Sequence, residues 1–298
     1  MQKMKITAGL GRLEDFGRLV SAGADELFAG FVPLTWLEKY GNDVPLNRRE
    51  VLLQDIQIDT FDDMRALARM KADANVKVAL TFNAPCYAAS AYPLIGDMLS
   101  RLQSLGFDDF IIADPGLLVY LKTQCFSAHI HLSGEAGAFN PDAVRFFENL
   151  GAKRIIFPRK ISPERMAECI AAAPQLEYEA FILNEMCHYS GAFCSSLHCD
   201  TLDPLCRVPY LCHGCQNNPP ERDPSAFGAS GCGICALQRL QSAGVNVLKI
   251  VGRGGHADLI ERDIRMLKSI LSMENLAPET LKKTFFPDGC AENCYYRP

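Results

Sequence analysis

Four times along the chain a helix-like segment ends in a glycine and runs at once into an apolar stretch. The stretches are SAGADELFAG (21–30), SLGFDDFIIAD (104–114), NLGAKRIIFP (149–158) and SAGVNVLKIVG (242–252). Glycine suits the position after a helix because it enters the left-handed conformation without a Cβ clash. The apolar, β-branched runs that follow read as strands buried on both faces, as in a parallel sheet. KITAG (5–9), VKVALTF (76–82), AHIHLSG (128–134) and LEYEAFIL (176–183) bring the predicted strands to eight. Helical periodicity fills the gaps at Asp59–Lys71, Tyr92–Leu105, Pro141–Leu150 and Pro163–Ala173. Ala257–Ser272 places Ile260, Ile264, Leu267 and Leu271 on one helical face. Eight alternating units predict a (β/α)8 TIM-type barrel, with an open doubly wound sheet as the alternative.

A barrel puts its chemistry at the carboxyl ends of the strands. There the pattern breaks: strand seven ends near Leu183 and the next helix begins near Ala236, a gap of about fifty residues against the usual two to six. Eight of the thirteen cysteines lie in it, from Cys187 to Cys235. The 298-residue chain is 48% hydrophobic and 22% charged, a globular profile that predicts one barrel domain over 1–298. Within it we expect a cysteine-rich insertion over about 184–235 and a short cysteine-containing tail over about 277–298. No basic leader precedes an apolar run, and no apolar run approaches about eighteen residues, so a cytoplasmic protein without a membrane span is expected. In a reducing cytosol clustered thiols read as metal ligands rather than disulfides. The net charge of −5 offers nucleic acid no global attraction.

Two cysteine patterns compete. Cys212-x2-Cys215 followed by Cys232-x2-Cys235 fits a zinc ribbon, in which two turns aim four sulfurs at one ion. Alternatively Cys187-x6-Cys194 pairs with Cys232, which stands ten residues before AGVNVLKIVGR (243–253). On that second pattern, together with AGLGRLEDFGRLVSAGADELFAG (8–30) and YEAFILNEMCHYSGAFC (178–194), the chain resembles the collagenase-like peptidase family, U32. That family includes oxygen-independent hydroxylation proteins of ubiquinone biosynthesis and RNA-hydroxylation proteins. The resemblance implies a TIM-type barrel carrying a [4Fe–4S] cluster on four cysteines. Carried over by position, Cys187 and Cys194 match the first two ligands and Cys232 the fourth. Cys212 is favoured as the third, with Cys206, followed by RVPY, as the alternative. Cys199, Cys215 and Cys235 have no counterpart in the pattern and form a second tier. Cys290 and Cys294 are likewise unmatched and could join a cluster or meet a partner. Cys86, Cys125 and Cys169 are expected to be small buried or half-buried residues. The resemblance further implies a heterodimeric or homo-oligomeric partner and an anionic small-molecule oxygen donor such as prephenate. Val251 stands where the family has a glutamate.

Polar residues at strand ends complete the candidates. Ser133 and Glu135 continue the alternation of His129 and His131, and the two histidines lie lower, as barrel-interior groups. Asn83, Asp114, Arg159, Lys160 and Arg253 follow other strands, and Arg159 with Arg253 would suit a carboxylate. The plainer alternative is that these arginines pair with Asp114 or Glu135 and only close the barrel top. LKIVGRGGHAD (248–258) could cradle an anion but matches no phosphate-loop fingerprint. Three functions follow. They are an iron–sulfur enzyme or enzyme subunit for an oxygen-independent hydroxylation, a metal-stabilised scaffold without catalysis, and a peptidase, for which no HExxH is present. For the first, a small-molecule substrate is placed ahead of RNA.

Overall fold

The computed structural model describes residues 4–41, 44–48, 56–185, 187, 194, 211–212, 221–222, 230–253, 257–287 and 293–296. The barrel strands are β1 (Lys5–Leu10), β2 (Glu26–Gly30), β3 (Lys77–Phe82), β4 (Asp109–Ile112), β5 (His129–Leu132), β6 (Ala152–Ile156), β7 (Glu177–Glu185) and β8 (Val247–Ile250). Each pairs in parallel with the next, and β8 returns to β1, with Val247 opposite both Lys5 and Glu179. That closure rules out the open sheet. The matched solution is a TIM-type barrel, whose ring leaves no parallel edge exposed.

Helices surround the ring: α1 (Phe16–Ala22), α2 (Leu34–Tyr40), α3 (Phe61–Asp73), α4 (Tyr92–Ser104), α5 (Pro115–Thr123), α6 (Pro141–Asn149), α7 (Pro163–Ala172), α8 (Leu237–Ala243), α9 (Ala257–Leu271) and α10 (Pro278–Phe285). Gly23 and Gly244 end α1 and α8 in the left-handed conformation, as the repeated glycine predicts. Starts are set by side-chain caps. Thr60 accepts from the Asp63 N–H, so α3 begins two residues later than its periodicity suggests. Asn140 and Ser162 cap α6 and α7 in the same way, each followed by a proline that cannot use an N–H there. Periodicity does not pick out α2, which buries only Trp36, or α5, whose apolar residues form an unbroken run from Leu117 to Leu121 with no polar face between them. Among the described residues no helix is long and apolar enough to cross a membrane.

The strands are not uniformly apolar inside. Leu27, Ile155, Ala180 and Leu248 are buried on one face. The alternate positions Glu26, Arg154, Glu179 and Lys249 are buried on the other, within the ring. Arg154 donates to Glu26 at 2.6 and 3.1 Å, to Glu177 at 2.7 and 3.0 Å and to Glu179 at 3.1 Å. Lys249 donates to Glu179 at 2.7 Å. The reading of these strands as apolar on both faces is therefore corrected: one face carries charge. Mutual pairing makes such burial tolerable, since an unpaired buried ion would be costly.

Candidate functional site at the carboxyl end of the barrel

Beyond the ring, β7 runs on and accepts two more short strands. Ser230–Cys232 pairs antiparallel to it, with Cys232 opposite Leu183, and Asn293–Cys294 pairs in parallel with Ser230–Cys232. The register sets Cys294 beside Cys232, so the two side chains leave the same face of the ribbon. The C-terminal segment is held firmly. The Tyr295 N–H donates to the Cys232 carbonyl at 3.0 Å, and the buried Tyr296 hydroxyl donates to the Phe181 carbonyl at 2.6 Å. Gly231 is required here, because a Cβ would fall 2.2 Å from the Tyr295 ring. A tail that sequence reasoning left unmatched thus forms part of the platform carrying Cys232.

Arg48 ties the opposite side of the mouth together. Its N–H donates to the Asn83 side chain at 3.1 Å, its Nε to Glu135 at 3.2 Å and its Nη2 to the Cys194 carbonyl at 3.3 Å. The segment after β2 is thereby joined to the ends of β3 and β5 and to the cysteine-rich loop. Sequence reasoning missed Arg48. The signal available was length, since roughly thirty residues between β2 and α3 exceed the usual connection and mark a functional segment. Its neighbours Asn47 and Gln57 are also built into the mouth, with Asn47 donating to the Phe31 carbonyl at 3.3 Å and to Gln57 at 3.4 Å.

The predicted strand-end residues take distinct places. Ser133 is buried and accepts from the Glu135 N–H at 3.3 Å, capping the turn after β5, while Glu135 pairs with Arg48. Asp114 caps α5 through Gly116 at 2.8 Å and accepts from the Tyr87 N–H at 2.9 Å and the Tyr92 hydroxyl at 3.1 Å. Arg253 donates to Gln57 at 3.4 Å and Thr81 at 3.3 Å, reaching across Gly30, where a Cβ would lie 2.2 Å from its Nη1. Arg159 lies with its guanidinium 4.0 Å from the Phe181 ring centroid. The two arginines share the barrel end but lean to different sides, Arg253 toward β2 and β3 and Arg159 toward β7. Neither Asp114 nor Glu135 pairs with Arg159 or Arg253 in these contacts; Arg48 holds Glu135 instead. Val251, half-buried, is fixed by its N–H to the Leu183 carbonyl at 2.6 Å.

Of the expected thiols, Cys187 and Cys194 are half-buried and Cys232 is buried. Cys235 and Cys294 are also half-buried. These five do not bring three sulfurs within 4.8 Å of one another, the reach of a single ion. Thiolate donors suit zinc and iron–sulfur clusters alike. Cys199, Cys206, Cys215 and Cys290 lie outside the described residues, as does the side chain of Cys212, whose backbone forms a short hairpin through Leu211–Cys212 and Glu221–Arg222. The cysteines expected to be inert divide. Cys169 is buried, and burial pushes its thiol up to about 11, whereas Cys86 and Cys125 are exposed. Cys86 lies in the connection after β3 and Cys125 in the turn after α5, where the apolar pattern gives no measure of burial.

The family model described as peptidase family U32 matches residues 11–285. This chain belongs to peptidase family U32. A solved structure described as the U32 peptidase Mk0906 superposes with a TM-score of 0.53 over 85% of this chain and 94% of that one, at 15% identity, which supports the U32 barrel as the fold. Among sequence relatives, the tRNA hydroxylation protein P of Escherichia coli (strain K12) is 27% identical over 205 residues, covering 68% of this chain and 42% of that protein. The tRNA hydroxylation protein P1 of Bacillus subtilis (strain 168) is 25% identical over 285 residues, 94% of this chain and 58% of that protein. The chain spans about half the length of these curated relatives.

Proposed function

We propose that this U32 member holds an iron–sulfur cluster at the carboxyl end of its barrel and serves the hydroxylation of tRNA. The observation that carries the reading is the gathering of Cys187, Cys194 and Cys232 at the end of the barrel where such folds place their chemistry. Cys187 follows β7, Cys232 sits on the strand added to β7, and the Cys194 backbone is bonded to Arg48 at the mouth. Cys187, Cys194 and Cys232 would be three ligands and Cys212 the fourth, with Cys206 in its place as the alternative. When bound, such a cluster, with a thiolate on each of its four irons, would supply one-electron chemistry. The chain's own contribution is positioning. Arg48, Arg159 and Arg253 bring three guanidinium groups to the mouth, where they suit the phosphates of an RNA or an anionic oxygen donor. The names of the relatives move the weight from a small-molecule substrate to RNA.

Anaerobic purification with assay of iron, acid-labile sulfide and zinc tests the cluster. About four irons and four sulfides per chain are expected, falling sharply in Cys187→Ala and Cys232→Ala. One zinc without sulfide would overturn the cluster and favour the ribbon at Cys212, Cys215, Cys232 and Cys235. The substrate is tested separately by mass spectrometry of tRNA nucleosides from cells lacking the gene. A hydroxylated nucleoside should disappear and return with the wild-type chain but not with Cys232→Ala. An unchanged nucleoside profile would sink the tRNA reading while leaving the cluster standing.

A further inference from the structure

At the other end of the barrel three side chains meet that the cysteine site does not use. Asp109 and His129 open β4 and β5 and face each other in register, and His131 follows two residues on, on the same face as His129. Asp109 Oδ1 lies 3.0 Å from His129 Nδ1 and 3.1 Å from His131 Nε2, and those two nitrogens are 3.0 Å apart. The three atoms form a nearly equilateral triangle. Hydrogen bonds can account for two of its edges, one N–H from each ring to Oδ1, but then the third edge is two nitrogens facing each other with both protons aimed elsewhere. A cation above the triangle replaces all three edges with bonds.

We propose that Asp109, His129 and His131 form a facial two-histidine, one-carboxylate site for a divalent first-row transition ion, at the amino end of the barrel and separate from the cysteines. The edge length suits an octahedral face. As one face of an octahedron it corresponds to metal–ligand bonds of about 2.1–2.2 Å, whereas a tetrahedron would need about 1.9 Å, shorter than the roughly 2.0–2.2 Å of zinc–nitrogen and zinc–oxygen bonds. Two imidazoles exclude magnesium and calcium, which take oxygen ligands, and point to manganese, iron, cobalt or nickel. The His131 side chain is 2% exposed, Asp109 13% and His129 32%, so the protein closes one side of the triangle and solvent reaches the other. That leaves the remaining coordination positions to water or a small ligand. The buried His131 ring is anchored through Nε2 alone; among the described residues nothing hydrogen-bonds its Nδ1. Lys77 acts on Asp109 and Arg154 on His131 as neighbouring cations, and Arg154 is already bound by Glu26, Glu177 and Glu179, the last of which also acts on His131.

Mn²⁺ is the probe of choice because it prefers nitrogen and oxygen to thiolate, so the cysteine loop competes weakly for it. The full chain is titrated with Mn²⁺ while the free aqua ion is followed by electron paramagnetic resonance. About one ion per chain should bind, with affinity at least about tenfold weaker in His129→Ala and Asp109→Asn and unchanged in Cys187→Ser. His129 is partly exposed and Asp109→Asn keeps the shape, so both variants report even if His131→Ala fails to fold. No binding by the wild-type chain, or binding that survives both substitutions, would overturn the site and leave a hydrogen-bonded trio.

Discussion

Arg154 shows how much one residue decides in this barrel. Its guanidinium is 1% exposed and meets carboxylates from β2 and β7. Burial alone would raise the Glu26 carboxyl, but the hydrogen bonds and charge of Arg154, helped by Lys5, hold it down from 4.5 to about 2. A folded pKa below the unfolded one gives stability that is complete above about pH 4.5 and lost as pH falls through about 2. The shift corresponds to roughly 3 kcal/mol. Arg154→Met should cost about 3–5 kcal/mol at neutral pH by stranding buried carboxylates. Urea midpoints at pH 7 and pH 3 check both: the wild-type chain should weaken on acidification, and the variant should lose much of that dependence as Glu26 takes up its proton.

At the scale of elements, caps and added strands set the local geometry. Thr60 accepts from the Asp63 N–H at 3.0 Å and its hydroxyl meets the Asp63 carboxylate at 2.6 Å, so Thr60→Ala should lower stability by about 1 kcal/mol in a melting experiment. The C-terminal strand is a more informative target. Tyr296→Phe removes the buried hydroxyl bond to the Phe181 carbonyl, and Gly231→Ala drives a methyl into the Tyr295 ring. Both should loosen the ribbon that carries Cys232. Amide exchange over 230–235 should rise, by a factor of at least about five if the bond contributes some 1–3 kcal/mol, and iron retention should fall with it. Periodicity locates helices such as α4 and α6 to within a residue because apolar residues at helical spacing on a polar background fix them. It is silent on the strand Asn293–Cys294, which has no period of its own and exists only because Ser230–Cys232 offers it an edge.

On the scale of the whole molecule, the ring closes without any residue between 186 and 229, since β7 pairs directly with β8. The barrel should therefore outlive its cysteine site. Exposure to air is expected to abolish visible absorption from the proposed cluster while far-ultraviolet circular dichroism and the main melting transition stay near their starting values. Collapse of the barrel together with the absorption would show that the loop holds the fold. The same separation explains which candidates were legible. The loop itself stood out because so many thiols in one long loop are rare, whereas Cys187, Cys194 and Cys232 were singled out within it only by the family resemblance. Arg48 and Gln57 did not stand out, because ordinary polar residues acquire meaning at the mouth only once β2, β3 and β5 are placed side by side.

The sequence by itself determined the alternation of strands and helices, the number of barrel strands, the glycine turns between them and the loop that holds the thiols. These are local properties: side-chain period, a conformation open to glycine, and composition over a short window. Tertiary structure alone decided which alternate strand positions carry charge inside the ring, since Glu26 and Arg154 lie 128 residues apart and neither could be buried without the other. It also decided that Asp109, His129 and His131 converge, because two strands must lie in register before their first residues touch. The same holds for Cys294, which reaches Cys232 only through pairing across the chain's length. Local free-energy preferences are written along the chain, whereas a site is a set of distances that closure of the barrel creates.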